Sequence, residues 1–184
     1  MDLEGLSDLE LSDSTGSPRR LGDYWAEQPV ILVFLRHFGC LLCREHAVEL
    51  RNRYDDVKAR GGEVVAVGTG DHRYAARFVS EEAVPFPVLV DDDAVAGRAA
   101  SVRRTTPWGL FNPRSFPGAR RAHRAGHRVH KSGRRVTQLG ATFVVGPGER
   151  VCYAYVDAHT ADHAPLEEVL AALDARARPS RAPG

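Results

Sequence analysis

The chain has 184 residues, 43% of them hydrophobic, with 25 Lys and Arg against 24 Asp and Glu and a formal net charge of +1. That length suits one globular domain, and the near-neutral balance argues against whole-chain attraction to nucleic acid. Three cysteines, an odd number with only two close in sequence, argue against a secreted disulfide framework.

The N-terminus is acidic and has no apolar signal-like core, and no apolar run approaches the ~20 residues that span a membrane. A cytoplasmic, reducing compartment is therefore expected. Residues 1–20 carry Asp2, Glu4, Asp8, Glu10 and Asp13 ahead of Gly16-Ser17-Pro18, and are expected to be a disordered acidic tail. The continuous apolar run Val30 to Leu35 predicts a central parallel strand buried on both faces. A helix is predicted over 41–60, with Ala47, Leu50, Tyr54 and Val57 on one stripe, closed by Gly61-Gly62. A second strand follows at 63–67. Asp71 then caps a short helix to about Val79, and a third strand covers 87–90. Asp91-Asp92-Asp93 is expected to cap another helix over 94–102.

The pattern changes over 103–139, which reads as an insertion. It holds Pro107, Pro113 and Pro117, and from Arg114 to Arg135 it has eight basic residues and no acidic one. One helix is predicted over 119–130, with His123, His127 and His130 on a shared face. The regular pattern resumes with a hairpin, 141–145 and 150–156 around Gly146-Pro147-Gly148, and a final helix over 165–177. Cys152, in the second hairpin strand, reads as a small core residue. A tail from Arg178 is expected to fray. The order predicts an α/β, thioredoxin-like fold over 21–177. It has a central mixed sheet flanked by helices, and a basic insertion before the C-terminal β-hairpin and helix.

Chemistry concentrates at Cys40-Leu41-Leu42-Cys43, where the first core strand empties into a helix. A thiolate is the reactive form of cysteine, and a helix N-terminus stabilises negative charge. Cys40 is the candidate attacking thiolate and Cys43, one turn on, the resolving thiol, although the two roles can be exchanged. Arg36 and Arg44 are candidates to add positive charge, and His37 to act as a nearby base. The same Cys-x-x-Cys spacing binds zinc, and His37, Cys40, Cys43 and His46 form a regular string. A strand end and a helix interior need not bring the four together, so no metal or cofactor is expected. His46 then reads as an exposed helix residue. In the insertion, Arg120, Arg124 and Arg128 are the candidate anion-binding set. No stacking platform accompanies them, which again argues against nucleic acid.

The segment Phe34-Leu-Arg-His-Phe-Gly-Cys40-Leu-Leu-Cys43-Arg-Glu-His46 resembles the peroxiredoxin-like AhpC/TSA-type family of the thioredoxin superfamily, including the prostamide/prostaglandin F synthase relatives. The similarity continues through Pro85 to Asp91 and returns at Gln138 to Gly148. The resemblance implies a thiol-dependent oxidoreductase that uses the cysteine pair to reduce a peroxide, an endoperoxide or a disulfide. Its partners would be a small-molecule or lipid-like oxidised substrate and an external thiol reductant such as thioredoxin. Two places depart from relatives in the superfamily. Counting back from Cys43 against the peroxiredoxin pattern Pro-x-x-x-Thr-x-x-Cys, the Thr place holds Cys40 and the Pro place Arg36. The place of the thioredoxin cis-proline holds Ala141 or Thr142. The alternative is a thioredoxin-fold binding or accessory protein, not catalytic, whose basic insertion holds an anionic partner.

Overall fold

The computed structural model describes residues 1–106, 108–111, 113–130 and 136–177. All six side chains from Val30 to Leu35 are buried, so this strand needs a cover on each face. In chain order the elements are α1 (Leu3–Ser7), β1 (Glu10–Asp13), β2 (Pro18–Arg20), β3 (Val30–Leu35), α2 (Leu41–Asn52), α3 (Tyr54–Ala59) and β4 (Glu63–Gly68). There follow α4 (His72–Glu82), β5 (Val88–Val90), α5 (Val95–Ala99), α6 (Phe116–Arg124), β6 (Ala141–Gly146), β7 (Arg150–Val156) and α7 (Leu166–Ala177).

The strands form one mixed sheet in the order β2-β1-β5-β4-β3-β6-β7. β3, β4 and β5 are parallel, with Leu35 opposite Gly68 and Gly68 opposite Val90. β6 runs antiparallel to β3, with Phe34 opposite Ala141, and β7 returns beside β6 with a bulge at Val144/Val145. Strand periodicity sends Ile31, Val33 and Leu35 to one face, where α2, α3, α4 and α7 supply Leu50, Val57, Phe78 and Leu173. Val30, Leu32 and Phe34 point to the other face. This is the thioredoxin-like architecture expected from the element order.

The N-terminus departs from expectation. Residues 1–20 form α1 and the β1–β2 hairpin, and β1 extends the sheet through Ser12 opposite Val90. The cause is the second face: Leu6, Leu11, Leu21 and Trp25 are all buried against Leu32, Phe34 and Leu89. The acids that suggested a solvated tail serve local turns. Asp2 accepts from the Gly5 N–H at 2.9 Å, and Asp13 accepts from Thr15 and Ser17 and pairs with Arg19 at 3.0 Å.

Three helices also differ from their predicted spans. The helix over 41–60 breaks at Arg53 (φ −112°, ψ 12°) into α2 and α3. The helix over 94–102 shrinks to α5, and Asp91 caps it, accepting from the Val95 N–H at 2.7 Å and the Gly97 N–H at 2.9 Å. α6 begins earlier than predicted and ends at Arg124, so His127 and His130 leave the helix and share no face with His123. The tail 178–184 and residues 131–135 of the basic run lie outside the described residues. Among the described residues no helix is long and apolar enough to cross a membrane.

Candidate active site

The loop from Arg36 to Cys40 is held by three neighbours. The Thr69 hydroxyl donates to the Arg36 carbonyl at 2.8 Å, the Arg44 Nε donates to the Phe38 carbonyl at 3.1 Å, and the His130 N–H donates to the Gly39 carbonyl at 3.0 Å. The Phe38 ring packs against Gly68, where a Cβ would come within 2.5 Å of it. Gly68 is thus a glycine for space, and the close approach sets the depth of the loop.

Cys40 is the N-cap of α2, with φ −77° and ψ 121°, and Cys43 lies in the first turn. Both sulfurs are buried, and neither is in a disulfide. A hydrogen bond from the Cys43 thiol holds the Cys40 thiol well below the usual range. Burial opposes this, and the charge of Arg36 adds to it. Cys43 moves the opposite way: as the donor, and buried, its thiol is raised. Its sulfur accepts the Arg36 N–H at 3.3 Å. The two thiols are therefore unequal, with the Cys40 thiol the more easily ionised of the two.

His37 is buried, and burial pushes its imidazole down to about 4, so the ring is neutral at pH 7. It lies 3.4 Å from the Arg36 guanidinium and is a polar neighbour of the thiolate, not a cation. Arg44 is directed elsewhere. Its guanidinium pairs with Glu82 and Glu81, each at 2.7 Å, so its charge is answered by carboxylates and it braces α2 against α4. His127 and His130 reach the same two carboxylates, at 3.4 and 3.7 Å, and tie the insertion to this brace.

Cys40 opens onto a cavity of about 370 Å³, and Cys43 does not line it. One wall comes from α2 (Leu41, Leu42), the other from the insertion (Leu110, Phe116, Val129). Arg36, His37, His130 and a Ser115–Thr160 hydroxyl pair 2.7 Å apart supply the polar edge. The insertion is therefore half of the pocket. Arg120 and Arg124 are exposed and line a neighbouring surface groove with Phe116, and Arg128 lies against His123 at 3.0 Å. None of the three lines the cysteine cavity. Arg121, which sequence reasoning passed over, makes a two-pronged pair with Glu45 at 2.8 and 3.0 Å that pins α6 to α2.

His46 is not the exposed helix residue expected. It is buried and stacks on His163 with ring centroids 4.6 Å apart. His163 lies 3.2 Å from the buried Asp157. No sequence signal links these three residues, which come from α2 and from the turn between β7 and α7. Among the described residues, no group of three or more His, Cys, Asp or Glu is placed to hold a metal ion.

Comparison with known proteins shows what the chain is similar to. The chain is 27% identical over 178 residues to the chloroplastic thioredoxin-like protein AAED1 of Arabidopsis thaliana, covering 92% of this chain and 71% of that one. It is 27% identical over 164 residues to the prostamide/prostaglandin F synthase of Danio rerio, covering 87% and 81%. Among solved structures, the peroxidoxin BcpB of Mycobacterium tuberculosis superimposes with a TM-score of 0.68 at 21% identity, covering 93% and 94%. The peroxiredoxin Q of Xanthomonas campestris gives 0.67 at 19% identity, covering 95% of each chain. The family model of the AhpC/TSA antioxidant enzymes matches residues 49–159, from α2 beyond the cysteine pair to the end of the hairpin. A match over more than half of the chain settles its kinship: the chain belongs to the peroxiredoxin-like AhpC/TSA antioxidant enzyme family.

Proposed function

We propose that this chain is a thiol-dependent oxidoreductase in which Cys40 attacks and Cys43 resolves. The observation that carries the reading is the asymmetry of the pair: Cys40 faces the cavity as the favoured thiolate, and Cys43 stands behind it as the proton donor. With a hydroperoxide, the Cys40 sulfur takes the distal oxygen and the O–O bond breaks. The alkoxide gains a proton and leaves as alcohol, so Cys40 becomes a sulfenic acid. The Cys43 sulfur then displaces that hydroxyl, its own proton completes the departing water, and a Cys40–Cys43 disulfide remains. An external dithiol such as thioredoxin returns two electrons and two protons.

The cavity supports an organic oxidised substrate over hydrogen peroxide. Leu41, Leu42, Leu110, Phe116 and Val129 offer a hydrocarbon body a place to be buried, while Arg36 and the hydroxyls stand at the reacting end. The relatives named for prostamide and prostaglandin F synthesis make an endoperoxide a natural candidate beside alkyl hydroperoxides. The basic surface of α6 remains a candidate site for an anionic partner.

The test is a thiol count on the reduced chain before and after one equivalent of cumene hydroperoxide or hydrogen peroxide, with mass mapping of crosslinks. Loss of two thiols in a Cys40–Cys43 disulfide, faster with the organic peroxide, is expected. Cys40→Ser is expected to abolish it. Full consumption of peroxide by Cys40→Ser refutes the assignment.

A further inference from the structure

The mechanism above leaves one buried polar cluster unused. His163 Nδ1 lies 3.2 Å from Asp157 Oδ2, and the Asp157 side chain is 3% exposed. The place for that carboxylate is made by Gly140, where a Cβ would collide with Asp157 Oδ2. The Asp157 N–H in turn donates to the Gly140 carbonyl at 3.1 Å. On its other side the His163 ring stacks on His46, nearly parallel at 11°. His163 Nε2 and both ring nitrogens of His46 are closed to solvent and have no hydrogen-bond partner. Leaving a buried polar atom unpaired is costly, so three in one place demand a reason.

The cluster borders the redox pair. His46 is on α2, one turn beyond Cys43, and the turn that carries His163 also supplies Thr160 to the cavity wall beside Cys40. We propose that His163, seated on Asp157 and stacked on His46, is a positioning residue for the redox pair: its ring is the buried cation that steadies the Cys40 thiolate from outside the cavity. The inference rests on the reading of Cys40 as the attacking thiolate.

The charges around the ring fit this role. Two imidazoles stacked at 4.6 Å cannot both carry a proton cheaply, so one is charged at most. Asp157 decides which. Its carboxylate raises His163 in spite of burial, while burial and the neighbouring His163 lower His46, whose Nδ1 has Glu49 at 3.6 Å. The Cys40 charge also favours protonated His163, and by reciprocity the His163 proton favours the Cys40 thiolate. The groups facing His163 are thus Asp157 at the end of β7, His46 and Glu49 from α2, and Cys40 at the α2 cap. Asp162, in the same turn, acts on Asp157 and is engaged by the Tyr155 hydroxyl and the Ala158 N–H. Neither other basic candidate does this work: His37 is neutral at pH 7, and Arg44 is paired with Glu81 and Glu82. Arg36 attends the thiolate from the cavity edge, so His163 is the second cation.

The experiment follows iodoacetamide labelling of Cys40 in the reduced full chain between pH 5 and 9, read by peptide mass, in wild type, His163→Gln, Asp157→Asn and His46→Gln. No peroxide is involved, so the result is independent of whether any substrate is turned over. His163→Gln is expected to label roughly three- to tenfold more slowly at pH 6, converging with wild type at high pH. Asp157→Asn shifts the profile the same way, and His46→Gln, which removes a neutral ring, leaves it in place. A folded His163→Gln with an unmoved profile overturns the proposal. A second measurement needs no variant: the ring nitrogen shifts of His163 in the reduced wild-type chain report imidazolium at pH 6 if the proposal holds, and a neutral ring there overturns it. A shifted labelling profile in a chain that consumes no peroxide would refute the peroxidase reading alone.

Discussion

Gly68→Ala tests the link between the sheet and the cysteine loop. Gly68 ends β4, and its backbone lies outside the left-handed region, so only space excludes alanine. A Cβ there would sit 2.5, 2.7 and 3.0 Å from three carbons of the Phe38 ring. Ordinary carbon contacts are ~3.5–4.0 Å, so the ring must retreat by about 1 Å. It has little room: Phe38 is 1% exposed, Phe78 stands 5.6 Å away ring to ring, and Gly70 is a further close neighbour. Overpacking of this kind costs about 1–3 kcal/mol, which for a chain of this size lowers Tm by roughly 3–10 °C. The same retreat drags the Phe38 carbonyl away from Arg44 and shifts the backbone two residues before Cys40. Urea unfolding should show a lower midpoint at unchanged slope, and Cys40 labelling should slow. Adding Phe38→Leu to Gly68→Ala should recover part of the loss, because the smaller side chain makes room for the new methyl. A Gly68→Ala chain within ~0.5 kcal/mol of wild type and with unaltered labelling refutes the reasoning. So does a double variant that loses the full sum of the two single effects.

Two further outcomes are expected. Arg44→Met leaves the nearly buried Glu82 without its main partner and should cost about 3–5 kcal/mol in urea unfolding, whereas Arg44→Met with Glu82→Gln should lose less than the sum of the singles. Equal additivity would show that the pair does not couple. Asp13 is held well below the usual carboxylate range, first by the Thr15 hydroxyl and then by Arg19 and the Thr15 and Ser17 amides. A carboxylate lowered by folding stabilises the fold above its unfolded value near 4, and that contribution is lost as pH falls through the folded value. Hydrogen exchange of the β1–β2 hairpin amides should therefore accelerate selectively in acid, and Asp13→Asn should remove that pH dependence. Protection that is constant down to pH 2 in wild type would contradict the assignment.

Much of this protein is legible in short stretches of its sequence. Val30 to Leu35 is apolar without interruption, and only a strand covered on both faces makes use of that. The Cys-x-x-Cys spacing after it needs only a helix start to make the two thiols neighbours, and Cys40 is indeed the cap. Local chemistry also sufficed for Asp71 as the cap of α4 and for the hairpin around Gly146-Pro147-Gly148. These features depend on residues a few positions apart, so the pattern carries them.

Other features depend on where distant segments meet. Leu6 and Leu11 are spaced among acids and read as a solvated tail until a bare sheet face requires them. Arg44 stands next to the cysteine pair in sequence, yet Glu81 and Glu82, nearly forty residues on, claim its charge. The insertion reads as a basic stretch with candidate anion-binding arginines, and its apolar residues form the second wall of the cavity. The unequal thiols follow from burial and from the direction of one hydrogen bond, which a motif does not encode. His46, Asp157 and His163 meet only because β7 ends beside α2, which the sheet order decides. Spacing along the chain determined which groups are available for chemistry. Burial and the pairing of charges across long sequence distances, which exist only once the chain has folded, decided which of those groups carry charge at the site.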